Sequence, residues 1–157
     1  LFYGEGLHFI TTVAQRANCV AVGNQKAYYY RRNNALSATT RFRIESVCNG
    51  EKSINRIEKE LTVSGDNVMD MLLLHRAMYN IGAITKLLNN NVKKQYLSDY
   101  KRWLKFNRAN IARILSSKRI SMYRKCLLLG GCISPSLMAQ LDVWRRKKIA
   151  VDSVTGR

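Results

Sequence analysis

Proline occurs once in this 157-residue chain, at Pro135. Nothing else constrains the fold as much. Proline removes a backbone donor and collides with the preceding turn, so its absence everywhere upstream leaves long helices open. The apolar residues use that freedom. From Asp66 onward, Val68, Met71, Leu72, His75, Met78 and Tyr79 recur at three-four spacing, and Ile81, Ile84, Leu87 and Leu88 continue it. This predicts a long helix, weakened or bent at Asn89-Asn90-Asn91, with His75 on its apolar face as a core histidine. A second long helix is expected over about 93–115, with Tyr96, Tyr100, Trp103, Ile111 and Ile114 as its apolar stripe.

Shorter elements flank this pair. One helix is expected over 121–129, closed by Gly130-Gly131. The next has Ser134 as N-cap and Pro135 in its first turn. Leu137, Met138 and Leu141 supply its inward face, and Trp144 with the basic run after it closes it. Upstream, 37–47 (capped by Ser37) and 53–61 read as short helices separated by a stop at Asn49-Gly50. Ser64-Gly65-Asp66 reads as a break with a capping signal. Residues 1–35 read as irregular, because Gly4, Gly6 and Gly23 break every period. Within them Tyr28-Tyr29-Tyr30 precede Arg31-Arg32, a run that either packs as an aromatic cluster or stacks on bases. The expected fold class is all-α: long antiparallel helices followed by two short helices, with an irregular N-terminal extension. The expected division is 1–62, a partly helical extension, and 63–157, a basic helical domain.

Charge carries the functional signal. The chain holds 27 Lys+Arg and 10 Asp+Glu, a formal net charge of +17. Residues 1–92 carry +4, whereas 93–157 hold 16 bases against 3 acids. A compact body with that charge repels itself until a polyanion neutralises it, and nucleic acid is the commonest such partner. On the second long helix, Lys94, Lys101, Lys105, Arg108 and Ala112 fall on one side. Asp99 is the one acid between 93 and 125, against eleven bases, so this flank reads as RNA-facing. The candidate contacts are Lys93, Lys94, Lys101, Arg102, Lys105, Arg108, Arg113, Lys118, Arg119, Arg124 and Lys125, then Arg145, Arg146, Lys147 and Lys148.

Other classes find little in the sequence. No stretch approaches the roughly 20 apolar residues of a membrane span. Bases spread over several helices also argue against a membrane-surface or partner-binding amphipathic tail. There is no Gly-rich phosphate loop, nucleophile elbow or His-Glu zinc helix. Asp66 and Asp70 share a helix face, but the positive end of a helix dipole accounts for acids there. No enzyme, catalytic residue, small-molecule substrate or cofactor is therefore expected. Cys19, Cys48, Cys126 and Cys132 form no Cys-x-x-Cys pair, and His8 and His75 are far apart in sequence. The cysteines read as buried or free thiols in a reducing compartment, and the spacing offers no metal site. The sequence opens at Leu1 rather than Met, so it reads as processed or incompletely represented.

Three stretches of the second half look familiar. The first is Leu74-His75-Arg76-Ala77-Met78, opening a long helix that reaches Lys93-Lys94-Gln95 and Asp99-Tyr100-Lys101-Arg102. The second is 104–112, with Arg108, Asn110 and Ala112 at matching places and Trp103 two positions off. The third runs from Ile133 to Val154, with Val143, Ile149 and Ala150 at apolar positions of the pattern. Together, over residues 72–154, they resemble large-subunit ribosomal protein L-twenty in its mitochondrial form. Phe42-Arg43-Ile44-Glu45-Ser46-Val47 is similar to an upstream helix of animal mitochondrial members. The resemblance implies a structural constituent of the mitochondrial large subunit. It would bind large-subunit rRNA directly, act early in assembly, and contact neighbouring ribosomal proteins. Two departures stand out: Val63-Ser64-Gly65-Asp66-Asn67 replaces the family's basic arm and Gly-Arg-rich stretch, and 116–129 is shorter than its counterpart.

Small-subunit ribosomal protein S-fifteen is the second resemblance. Ser64-Gly65-Asp66-Asn67-Val68 is similar to its opening, and 114–123 to its C-terminal helix-turn-helix. That family leaves Ile133–Val154 unaccounted for. From another class, a DNA-binding helical module would read bases with Asn107, Arg108 and Asn110.

Overall fold

A computed structural model describes residues 5–24 and 42–155, and the side chains of 6–24 and 42–148. The fold is all-α: among the described residues there are six helices and no strand. They are α1 (Glu5–Arg16), α2 (Ile44–Glu60), α3 (Asp66–Asn89), α4 (Leu97–Ser116), α5 (Met122–Ile133) and α6 (Pro135–Thr155). The chain divides into two compact units, Leu1–Ser64 and Gly65–Arg157. The Tyr28–Arg32 cluster and the Ser37 cap fall outside the described residues.

In the first unit α1 packs on α2. The His8 Nε2 and Glu60 Oε2 atoms lie 2.7 Å apart, and the backbone N–H of Thr62 donates to Gln15 Oε1 at 2.6 Å. Two expectations change here. Residues 5–16 are helical rather than irregular, because Gly6 sits in the first turn, where a glycine interrupts least. Asn49-Gly50 does not stop a helix: α2 runs through both, and Gly50 lies buried on its inner side with Val47, Ser53, Ile54 and Ile57. The described part of the first short stretch, from Ile44, and the second stretch up to Glu60 belong to one helix.

The second unit is built on the pairing of α3 with α4. Asn80 meets Asn107, and ten residues earlier Asp70 meets Ser117, so the two helices run antiparallel. α3 ends at Asn89 in the expected Asn-rich break. Asn90 N–H returns to Lys86 and Asn91 takes a positive φ of 57°, a conformation asparagine tolerates better than most residues. α4 begins only at Leu97, so Lys93 and Lys94 lie in the connecting turns rather than on the helix. Leu74, Ala77, Ile81, Ile114, Ile120 and Leu128 form the central cluster. Trp103, Ile84 and Leu87 are also fully enclosed. Removing Trp103 would leave a void, a loss of about 3–5 kcal/mol for such a side chain.

His75 does not belong to this core. It is exposed, because the inward stripe of α3 passes through Leu74 and Ala77 instead. The buried polar pair is Asn80 and Asn107, 2% and 1% exposed. Asn80 Nδ2 donates to Asn107 Oδ1, and Asn107 Nδ2 donates to the Ala77 carbonyl, both at 3.0 Å. Such a pair is satisfied in one register only, so it aligns α3 with α4.

The end of the chain departs furthest from expectation. Gly130-Gly131 does not terminate α5. A Cβ at Gly131 would overlap the Ile81 side chain, so glycine serves close approach of α5 to α3. α5 continues to Ile133, and Ser134 joins it directly to α6. The Ser134 N–H closes α5 on Gly130 O at 2.9 Å, while its Oγ accepts from Leu137 N–H at 3.4 Å. α6, expected to be short, spans 21 residues, since nothing between Pro135 and Gly156 breaks it. Its buried contact is Ala139, whereas Leu137 and Leu141 are about half exposed.

Candidate nucleic-acid interface

The bases of the second unit separate by what their side chains already touch. Residues 65–157 hold 18 Lys+Arg and 5 Asp+Glu, so this unit alone carries +13. Most of its described acids are engaged by an arginine close at hand. Asp99 pairs with Arg102 at 2.9 Å, and Asp142 with Arg145 and Arg146 at 3.0 and 2.7 Å. Asp70 is nearly buried. It accepts from Ser117 Oγ at 2.6 Å and from Arg113 Nε at 3.3 Å. The Ser117 hydroxyl, then Arg113, hold its carboxyl below the ordinary range, against burial that pushes it up. Asp70 is thus a tie between the start of α3 and the end of α4, a role the helix dipole alone does not require.

Other cations act within the fold. Lys125 was among the expected contacts but is buried, 9% exposed, and its Nζ donates to the Leu115 carbonyl at 2.7 Å. It closes the end of α4, where a helix presents unpaired carbonyls and negative dipole. It is not available to a partner. Arg108 is exposed, yet its Nε donates to the Cys132 carbonyl at 3.0 Å, tying α4 to α5. Burial pushes the Cys132 thiol up, partly offset by that guanidinium. Lys93 lies 4.4 Å from the centre of the Tyr100 ring, and Lys148 lies 5.7 Å from that of Trp144. Asn107 is buried, so it cannot read a base, and Asn110 Nδ2 donates to Phe106 O of its own helix.

The remaining expected contacts are exposed with no ion pair to a described acid: Lys94, Lys101, Lys105, Lys118, Arg119, Arg124 and Lys147. Lys101 and Lys105 stand one turn apart on the outer face of α4. Lys118 and Arg119 occupy the turn into α5, and Arg124 its first turn. That first turn carries no acid, and no side chain caps its N–H groups. Free N–H groups, dipole and cations at one place suit a phosphate. No protein-family model, curated protein or solved structure matches this chain. No helix among the described residues is long and apolar enough to cross a membrane, and they hold no His, Cys, Asp and Glu group suited to a metal ion.

The sequence also concealed a feature. Trp144 is 63% exposed beside a groove lined by Leu88, Asn89, Gln140 and Lys147. Its place next to four bases was visible as a signal. A tryptophan at a helix end looks the same in sequence whether its ring is packed or, as here, exposed.

Proposed function

We propose that this protein is a non-catalytic structural constituent of the mitochondrial large ribosomal subunit, binding large-subunit rRNA through the second unit. One observation carries the reading: a body of +13 whose described acids are mostly paired internally while seven cations stay exposed with no ion pair to a described acid, Arg119 alone among them feeling the Asp70 carboxylate at longer range. Such a surface gains most from phosphates, through counterion release. Lys101 and Lys105 on α4, Lys118 and Arg119 beside it, and Arg124 on α5 are the proposed phosphate contacts. The resemblance of residues 72–154 to the L-twenty family supports the choice of large subunit and compartment. Neighbouring ribosomal proteins are then the remaining partners.

The test is a sucrose gradient of mitochondrial lysate, following the tagged chain with and without nuclease. Co-migration with the large subunit, lost on nuclease treatment, is the expected result. The Lys101→Glu/Lys105→Glu/Arg119→Glu variant should leave that peak while keeping its helical circular dichroism. Migration with the small subunit would transfer the assignment to a protein of the S-fifteen kind. A nuclease-insensitive peak at the top of the gradient would remove the ribosome altogether.

A further inference from the structure

We propose that the groove between the last turn of α3 and α6 takes a single unpaired RNA nucleotide, its base stacked on Trp144. The inference rests on the RNA-binding reading above and adds a subsite to it. The groove holds about 480 Å³ and is lined by Leu88, Ala139 and Val143 on its apolar side. That volume falls within the range of about 300–1,000 Å³ typical of small-molecule sites. Asn89 and Gln140 add side-chain amides, and Lys147 stands at the same lining.

The combination is specific to a nucleotide. A base offers a flat π face and an edge of mixed donors and acceptors. Trp144 supplies the matching face, and amides can both donate and accept. The attached phosphate needs a cation, and Lys147 has no described acid to neutralise it, while Lys148 already sits over the indole ring. An apolar helix or acyl chain would fill the groove but would gain nothing from the exposed Lys147 or from either amide, so charge favours the nucleotide. A paired base is stacked within its duplex and cannot enter, which restricts the site to bulged, looped or terminal nucleotides.

The two tryptophans make the test direct, since Trp103 is 1% exposed and Trp144 is 63% exposed. Tryptophan emission of the full chain is titrated with two synthetic RNA hairpins, identical except for one bulged nucleotide. The expected result is quenching by the bulged hairpin and binding roughly 5- to 100-fold tighter than to the paired one, the range of one base–aromatic stack. Binding by the Trp144 variants, which lack the reporting indole, is followed by the anisotropy of dye-labelled hairpins, and Trp144→Ala should abolish the preference. Trp144→Phe keeps a ring and should retain most of it, and circular dichroism checks that both variants fold. Equal, salt-sensitive binding of both hairpins without quenching would overturn the subsite and leave the RNA-binding reading standing. No binding of either hairpin would overturn both. A dimer that Trp144→Ala dissolves would assign the groove to a second copy of the chain and likewise overturn the proposal.

Discussion

Asp70 and Asn107 show how much a single side chain depends on partners far away in sequence. Asp70 lies in the opening turns of α3, yet its partners are Ser117 and Arg113. Its carboxyl is held below its ordinary value, chiefly by the Ser117 hydroxyl. A lowered native value means the ionised form is favoured by folding. The stability it contributes is present above the ordinary carboxylate range and is lost as pH falls through the lowered native value. Urea midpoints followed from pH 6 down to pH 2 should therefore fall less steeply for Ser117→Ala than for the wild-type chain. Identical acid limbs would show that the hydroxyl does not set the titration. None of this was legible beforehand, because the periodic pattern places Asp70 on a helix but not opposite Ser117. Asn107 was equally hidden. An asparagine among bases reads as a contact for nucleic acid, and only the pairing of α3 with α4 reveals it as an internal one.

Helices were legible where apolar spacing is long and regular, as in α3 and α4, and less so where glycine had to be interpreted. Gly50 and Gly131 both lie inside helices. A glycine that permits close packing and one that ends a helix are the same letter, and only the neighbour, here Ile81 for Gly131, distinguishes them. Lysines pose the same difficulty. Lys125 and Lys101 sit in equally basic surroundings, but Lys125 points back to the end of α4 because α5 starts at Met122. The two should behave oppositely. Lys125→Met removes a charge-assisted hydrogen bond to a helix end and should cost about 1–2 kcal/mol in denaturant unfolding. Lys101→Met should change stability by less than about 0.5 kcal/mol, as exposed substitutions generally do. In RNA binding the ranking should reverse, with Lys101→Met the weaker binder.

For the whole molecule, the charge imbalance was the most legible property and the basis of the functional reading. It also sets a measurable quantity. Seven unpaired cations imply that log K for RNA falls against log salt with a slope of about −5 to −6, if each meets a phosphate. The Lys101→Glu/Lys105→Glu/Arg119→Glu variant should flatten that slope by about 2–3. An unchanged slope would mean that other residues carry the contact. What the charge could not reveal is how the basic run after Trp144 is presented, and that is decided by Ser134, where one residue both ends α5 and begins α6. A junction without slack behaves like a keyed shaft. Each residue added or deleted there would turn α6 by about 100°, carrying Trp144 and Lys147 away from Leu88 and Asn89. Chain length should thus be able to drift in the turns at 90–96, between α3 and α4, but not at the α5–α6 joint.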